Sequence, residues 1–354
     1  MSLSDPDRVT AIDVHAHIAP PCVGTGTVWE WQGKAVRRRP DGALEIGSGA
    51  SRWPLPWPQD GEQVEARLDY MDSVGVDLQV LSLSPALWDY DLDGHDGAWA
   101  ARQNNQELID VATEHPNRFR VFAHLPLDDV DATIAELDRV MSNDLVVGAA
   151  VGTHVAGRNW DDPVLFPVLE AAERLGALIF FHPAAVRFIP HMPDYHLRNL
   201  IGNPTETTVT IGSLLFGGVL DRLPDLKAVF AHGGGYAAFA AGRFDHGHRE
   251  RDDVRANTEG SIPSRYLDRL YFDNLLHSDA ATRYLIETVG LGQVVLGTDY
   301  PADMGPRDPV RPVLESAAYT DAEKRAVLGS NLAGLLGLDL SQVGSTRPAT
   351  APGR

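Results

Sequence analysis

The sequence predicts a (β/α)8 TIM barrel. Eight short apolar runs are spaced along the chain, amphipathic helical stretches separate most of them, and His or Asp recurs where several runs end. A doubly wound sheet is the competing architecture, and the absence of G-x-G-x-x-G after the first run disfavours it. The expected strands are Ala11–His15, Leu78–Leu81, Arg120–His124, Val146–Val151, Leu178–His182, Ala228–His232, Leu270–Phe272 and Val294–Gly297.

Between them, "VEARLDYMDSVG", "AARQNNQELIDVATEH", "ATIAELDRVMS" and "DPVLFPVLEAAERLG" read as helices. In the last, Val164, Leu165, Val168, Leu169 and Ala172 make one apolar stripe. Residues 21–60, rich in Gly, Pro, Trp and Arg, break the rhythm. There "TVWEW" and "ALEIG" read as short strands around the turn "PDG", an insertion over the barrel mouth. Residues 1–340 are expected to form one domain, and 341–354 a disordered tail.

The 354 residues, 44% hydrophobic and 22% charged, are enough for a soluble protein with an ample core. Thirty basic against 49 acidic residues give a formal charge of −19. A surface of that sign repels nucleic acid and anionic membranes, so neither is an expected partner. The apolar runs are too short to span a bilayer, and "MSLSDPDRVT" lacks the apolar core of a signal peptide. A cytoplasmic protein is expected. The single Cys22 excludes an intramolecular disulfide and a Cys-rich zinc site. None of Lys34, Lys227 and Lys324 sits at the C-terminal end of an expected strand, which argues against a Schiff base and a bridging lysine carbamate. Any metal site is expected to be mononuclear.

His15 and His17 are two apart, and in a strand such residues share a face. His182, His232 and Asp299 follow the fifth, sixth and eighth runs. Three imidazoles and a carboxylate at the active end of a barrel suit one divalent ion, Zn²⁺ first and Mn²⁺ second, with a coordination position left open. Asp13, two residues before His15, is expected on the same face as an orienting partner. His154 follows the fourth run and is a candidate substrate contact. "HGGG" (232–235) lacks the Gly-Lys-Ser/Thr ending of a P-loop, and its glycines are expected to bring backbone close to substrate.

Four segments carry a resemblance: "AHGGGYAAFAAGRFDHGHRERDD" (231–253), "PSRYLDRLYFD" (263–273), "LGTDYP" (296–301) and "NPTETT" (203–208). They resemble the amidohydrolase superfamily, in its branch of metal-dependent decarboxylases that contains 2-amino-3-carboxymuconate-6-semialdehyde decarboxylase. The resemblance runs from about Asp13 to Leu336. It implies His15, His17, His182 and Asp299 as metal ligands and His232 as the general acid/base, with Asp299 sharing in proton transfer. It also implies substrate-binding roles for Arg52, Arg243 and Arg251, with Arg243 reaching the neighbouring site of a homodimer. A guanidinium fork suits a carboxylated substrate. After the fifth run the chain departs from the family's usual His-Pro-Trp-Asp and reads His182-Pro183-Ala184-Ala185. Tyr195 and His196 stand where aromatic substrate contacts would lie, so the substrate is expected to differ.

The expected activity is non-oxidative decarboxylation, a carbon–carbon lyase reaction, of a small carboxylated substrate, aromatic or muconate-like. The alternative is hydrolysis of an amide, lactone or activated C–C bond at the same site.

Overall fold

In the computed structural model the described residues are 9–19, 28–31, 34–38, 44–48, 51–54, 64–88, 90, 94–187, 191–258 and 260–344. The barrel begins with β1 (Ile12–Ile18). Four short strands follow: β2 (Val28–Trp31), β3 (Lys34–Arg38), β4 (Leu44–Ser48) and β5 (Ser51–Pro54). They pair antiparallel in chain order as a separate sheet. Among the described residues the insertion therefore holds four strands, where two were expected. The hairpin partner of β4 is β3, whose mixed "KAVRR" carries little apolar signal, and not "TVWEW". The "PDG" turn lies outside the described residues.

The other barrel strands are β6 (Leu78–Leu83), β7 (Phe119–His124), β8 (Val146–Gly152), β9 (Leu178–His182), β10 (Lys227–Phe230), β11 (Tyr271–Asp273) and β12 (Val294–Val295). With β1 they form one eight-stranded parallel sheet in chain order. Val14 N donates to Leu296 O at 2.9 Å and His17 N to Tyr300 O at 2.7 Å, joining the last strand region to the first and closing the barrel.

The connecting helices include α1 (Val64–Val74), α2 (Gly94–Glu114), α3 (Val130–Val140), α4 (Phe166–Leu175), α5 (Asn203–Phe216), α6 (Val219–Arg222), α7 (Ala237–Glu250), α8 (Asp252–Arg255) and α9 (Asp279–Val289). Asp129 caps α3 by accepting from Ala132 N, and Gly176 closes α4 in the left-handed conformation. The α4 stripe is shorter than expected. Pro167 fits only the first turn of a helix, so α4 starts at Phe166 and Val164 stays outside, half exposed.

Strand alternation sorts the apolar residues into two shells. Leu178 and Phe180 face the barrel interior beside Val80, Phe122 and Val229. Ile179 and Phe181 face outward and join the layer packed with the helices. The chain end departs from expectation at residues 341–344. Gly344 N donates to Asn117 O at 3.0 Å and Val343 packs on the interior shell, so residues 343 and 344 are held against the barrel. Residues 345–354 lie outside the described residues.

Candidate metal centre and active site

β1 is irregular where it matters. Asp13 pairs with Gln79 and Ala16 with Leu81, so β1 advances one residue more than its partner. Ile12 and Val14 face the interior, and the extra residue lets His15 and His17 face it as well. Their Nε2 atoms are 3.2 Å apart. Asp299 Oδ1 lies 3.2 Å from His15 Nε2 and 3.1 Å from His17 Nε2. His182 shares the interior parity of Leu178 and Phe180, and its ring centroid is 4.7 Å from that of His17. His232 Nε2 is 3.6 Å from the other carboxylate oxygen, Asp299 Oδ2. One ligand atom from each of His15, His182, His232 and Asp299 falls within 4.8 Å of the others.

His232 reaches this cluster against strand alternation. Ala231 faces the interior, so a continued strand would turn His232 outward. A left-handed backbone, φ 55°, turns it back. Gly233, Gly234 and Gly235 continue with positive φ. A Cβ on Gly235 would sit 2.1 Å from Pro204 O, and one on Gly234 2.5 Å from the Phe272 ring. The glycines thus let the loop pack against the protein itself, and Gly235 also lines the cavity that opens beside His232.

The His15 and His17 rings are held from behind. His15 Nδ1 is 2.7 Å from Asp273 Oδ2, so the imidazole donates there and its Nε2 faces the centre. Asp273 also accepts from His232 N at 2.9 Å and Gly233 N at 2.8 Å, tying β1 to the His232 loop. Ser82 Oγ donates to Ala16 O and can accept from His17 Nδ1 at 2.9 Å. Asp13 is not the ring's partner. The bulge leaves it on the outer side, where it accepts from Gln79 Nε2, Thr298 Oγ1 and the backbone N of His15. Arg67, fully buried on α1, donates to Gln79 Oε1 at 3.0 Å and to His17 O at 2.5 Å. Asp273, Ser82 and Arg67 went unread in the sequence. Asp273 ends "YFD" as Asp299 follows "VVLG", so the strand-end pattern could have found it.

The electrostatics are those of buried charges forced together. Burial opposes a proton on His15, but Asp299 and the hydrogen bond to Asp273 overcome it and push its pKa up to about 10. Burial takes His17 down to about 4, and burial with the charges of His17 and His15 holds His182 well below the usual range. Burial would raise Asp299, yet the charge and hydrogen bond of His15 and the bonds of His17 and His232 bring it well below normal. Both ring nitrogens of His182 are buried without a partner. Such an imidazole, facing two others and a carboxylate oxygen, is the donor set of a divalent metal, so these residues fit the implied ion.

A cavity of about 240 Å³ opens on this cluster, with His232, Asp299, Asn203, Tyr236, Leu276 and Met304 among its lining residues. The remaining candidates are not among them. Arg243 is exposed on α7. Arg251 is exposed and paired with Asp253 at 2.6 Å. Tyr195 is 85% exposed. His154 Nδ1 accepts from Gly157 N at 3.2 Å, and its pKa is lowered by burial and by Arg187. Arg52 is in β5, opposite Gly47, and its side chain lies outside the described residues.

The family model described as "Amidohydrolase" matches residues 12–338. A 2-amino-3-carboxymuconate-6-semialdehyde decarboxylase from Dictyostelium discoideum is 37% identical over 275 residues, covering 78% of this chain and 77% of the relative. The apo crystal structure of Metarhizium anisopliae IDCase superposes with a TM-score of 0.81 at 24% identity, over 95% of this chain and 98% of that one. A dihydroxybenzoic acid decarboxylase from Polaromonas sp. JS666, solved with bound manganese and the inhibitor 2-nitroresorcinol, gives a TM-score of 0.73 at 20% identity, over 93% and 97%. Barrel, cluster and sequence agree, and the chain belongs to the amidohydrolase family.

Proposed function

We propose that the protein is a metal-dependent, non-oxidative decarboxylase of a small ring or muconate-like carboxylic acid. The observation that carries this reading is His232, which stands beside a convergent His/Asp set and lines the same cavity. The decarboxylase relative at 37% identity supports it.

His15, His17, His182 and Asp299 would hold the metal. His17 is favoured over His232 as a ligand by its contacts of 3.2 Å to His15 and 3.1 Å to Asp299, against 3.6 Å between His232 and Asp299. The bound ion would be Zn²⁺ or Mn²⁺, both served by this donor set, and manganese is the ion bound by the Polaromonas protein. It would supply Lewis acidity toward substrate oxygens. The remaining chemistry falls to the chain. As the bond to the carboxyl carbon breaks, its electron pair stays on the substrate carbon, CO₂ leaves, and that carbon takes a proton. His232 Nε2 holds and delivers the proton, with Asp299 Oδ2 orienting the ring. Leu276 and Met304 keep the reacting carbon out of bulk water.

The reading extends to a cytoplasmic homodimer in which Arg243 completes the neighbouring site. Among the described residues the cavity wall carries no Lys or Arg to meet a carboxylate. Arg243 is exposed on the helix that also presents Phe239, 83% exposed and 6.3 Å from the Tyr284 ring. Such an apolar surface beside a free guanidinium suits a second copy. Among the described residues no helix is long and apolar enough to cross a membrane. Replacing Arg243 by Ala is expected to raise KM strongly with metal content unchanged, and unchanged kinetics would remove it from the site.

The test of the activity is the metal-loaded protein with ring and diene carboxylates in heavy water. Decarboxylation predicts CO₂ release and one solvent deuteron on the product carbon. Oxygen-18 entering product from labelled water without CO₂ release would establish hydrolysis instead.

A further inference from the structure

Two of the residues assigned to the metal face each other across the seam where the barrel closes. β12 contributes only Val294 and Val295, and beyond them isolated backbone bonds replace a ladder. Asp299 N donates to His15 O at 2.7 Å, and His17 N to Tyr300 O at 2.7 Å. His17 stands on one side of this seam and Asp299 on the other, with Nε2 and Oδ1 3.1 Å apart. Asp299 Oδ2 also faces His232 Nε2 at 3.6 Å, so any shift of the carboxylate disturbs both the ligand set and the proton donor.

Arg67 of α1 spans the seam from behind. Its side chain is fully buried. Nη2 donates to His17 O at 2.5 Å, and Nη1 to Gln79 Oε1 at 3.0 Å. The guanidinium carbon stands 4.8 Å from the centre of the Tyr300 ring, and Tyr70, one turn along α1, stacks on that ring at 3.9 Å. Tyr300 directly follows Asp299. One guanidinium thus grips the peptide of one ligand and the ring beside the other. Its own needs are poorly met. Nε is buried without a partner, and both acceptors are neutral oxygens. The balancing charge is one bond further off, where Gln79 Nε2 donates to Asp13 Oδ2 at 2.9 Å. A buried cation in these surroundings is a costly means of holding a helix on a sheet, and apolar packing achieves that at less cost. What the planar fork adds is direction: it holds two acceptors at fixed angles while its face lies over an aromatic ring.

We infer that Arg67 is a positioning residue, which fixes the separation of His17 and Asp299 across the seam and so sets the affinity and coordination geometry of the metal. It does not line the cavity beside His232 and acts only through the two ligands. The inference rests on His17 and Asp299 being metal ligands.

The test compares Arg67→Met and Arg67→Lys with a matched control. Arg118 is also buried, pairs with Asp72 of α1 at 2.8 Å and donates to Asp77 O at 2.9 Å, at the barrel end opposite the ligands. Arg118→Met therefore removes a comparable support of α1 away from the metal. Zinc Kd is measured on the full chain by competition with a chelator, and the visible absorption of the cobalt-loaded protein reports coordination geometry. Arg67→Met should weaken zinc binding roughly ten- to a hundredfold and shift the cobalt bands. Arg67→Lys should do the same to a smaller degree, because one ammonium does not hold both acceptors and cover the ring. Arg118→Met should keep the native Kd and spectrum. A native Kd and spectrum in the Arg67 variants overturns the inference, as does an equal loss of zinc in Arg118→Met or a failure of Arg67→Lys to fold. Zinc bound as tightly by Asp299→Asn as by native protein would overturn the ligand assignment itself, whatever Arg67 does.

Discussion

The barrel floor and the loop beyond β9 treat their polar residues in opposite ways. On the floor, His15 is 0% exposed, and each imidazole on β1 has a partner behind it, Asp273 or Ser82. Beyond β9 the same kinds of residue stand in solvent: Tyr195 is 85% exposed, and it and His196 have left-handed backbones. A strong brace reaches this loop where Arg187 pairs with the fully buried Glu206 at 2.7 Å. The contrast separates two duties. Strand ends fix the reacting groups to within fractions of an ångström, and loops carry the residues that adjust to a particular molecule.

The largest effects should come from the floor. Replacing His182 by Ala or Asp299 by Asn should leave protein without tightly bound metal and without detectable CO₂ release, read by metal analysis and a coupled assay. Retained metal in either variant would break the contrast at once.

The next effect concerns pH. His124 ends β7, buried against the rings of Trp88 and Tyr90, and burial takes its pKa down from 6.5 to about 4. The folded state therefore refuses a proton that the unfolded chain accepts. The resulting stability is complete above pH 6.5 and is lost as pH falls toward 4, by about 3 kcal/mol in all. Urea midpoints at pH 7.5 and 5 should fall less in His124→Phe than in the native protein. Equal falls would show that this histidine is not held neutral.

A smaller change is expected from the brace. Asp273→Asn should weaken metal binding by roughly ten- to a hundredfold, because it loosens His15 and the His232 loop together. Competition with a chelator measures it, and unaltered affinity would mean that the floor does not depend on the groups behind it. Smallest of all, Arg187→Ala should raise KM severalfold with metal content unchanged. Loss of metal in that variant would merge the two regions that the structure separates.

The legibility of the sequence follows the same divide. The eight strands could be read because a barrel buries both faces of each, leaving continuous apolar runs. His182 was readable from alternation alone. The His15/His17 pair was readable for an incomplete reason: same-face spacing holds from His15 to His17, but without the bulge Val14 and His15 could not both face inward. The same bulge misled the reading of Asp13. His232 would fail the alternation test, and its left-handed φ of 55° leaves no mark in the local pattern except the glycines after it. Arg67 could not have been found, because its role depends on α1 folding back over β1, a contact between distant residues.

The central claim is that His15, His17, His182 and Asp299 hold one metal while His232 stays free for proton transfer. Metal content and CO₂ release, measured side by side for His17→Ala and His232→Ala, test it most directly. The account predicts that His232→Ala keeps about one metal per chain and loses roughly two to four orders of magnitude in rate, whereas His17→Ala loses the metal. Metal lost from His232→Ala and kept in His17→Ala would contradict it.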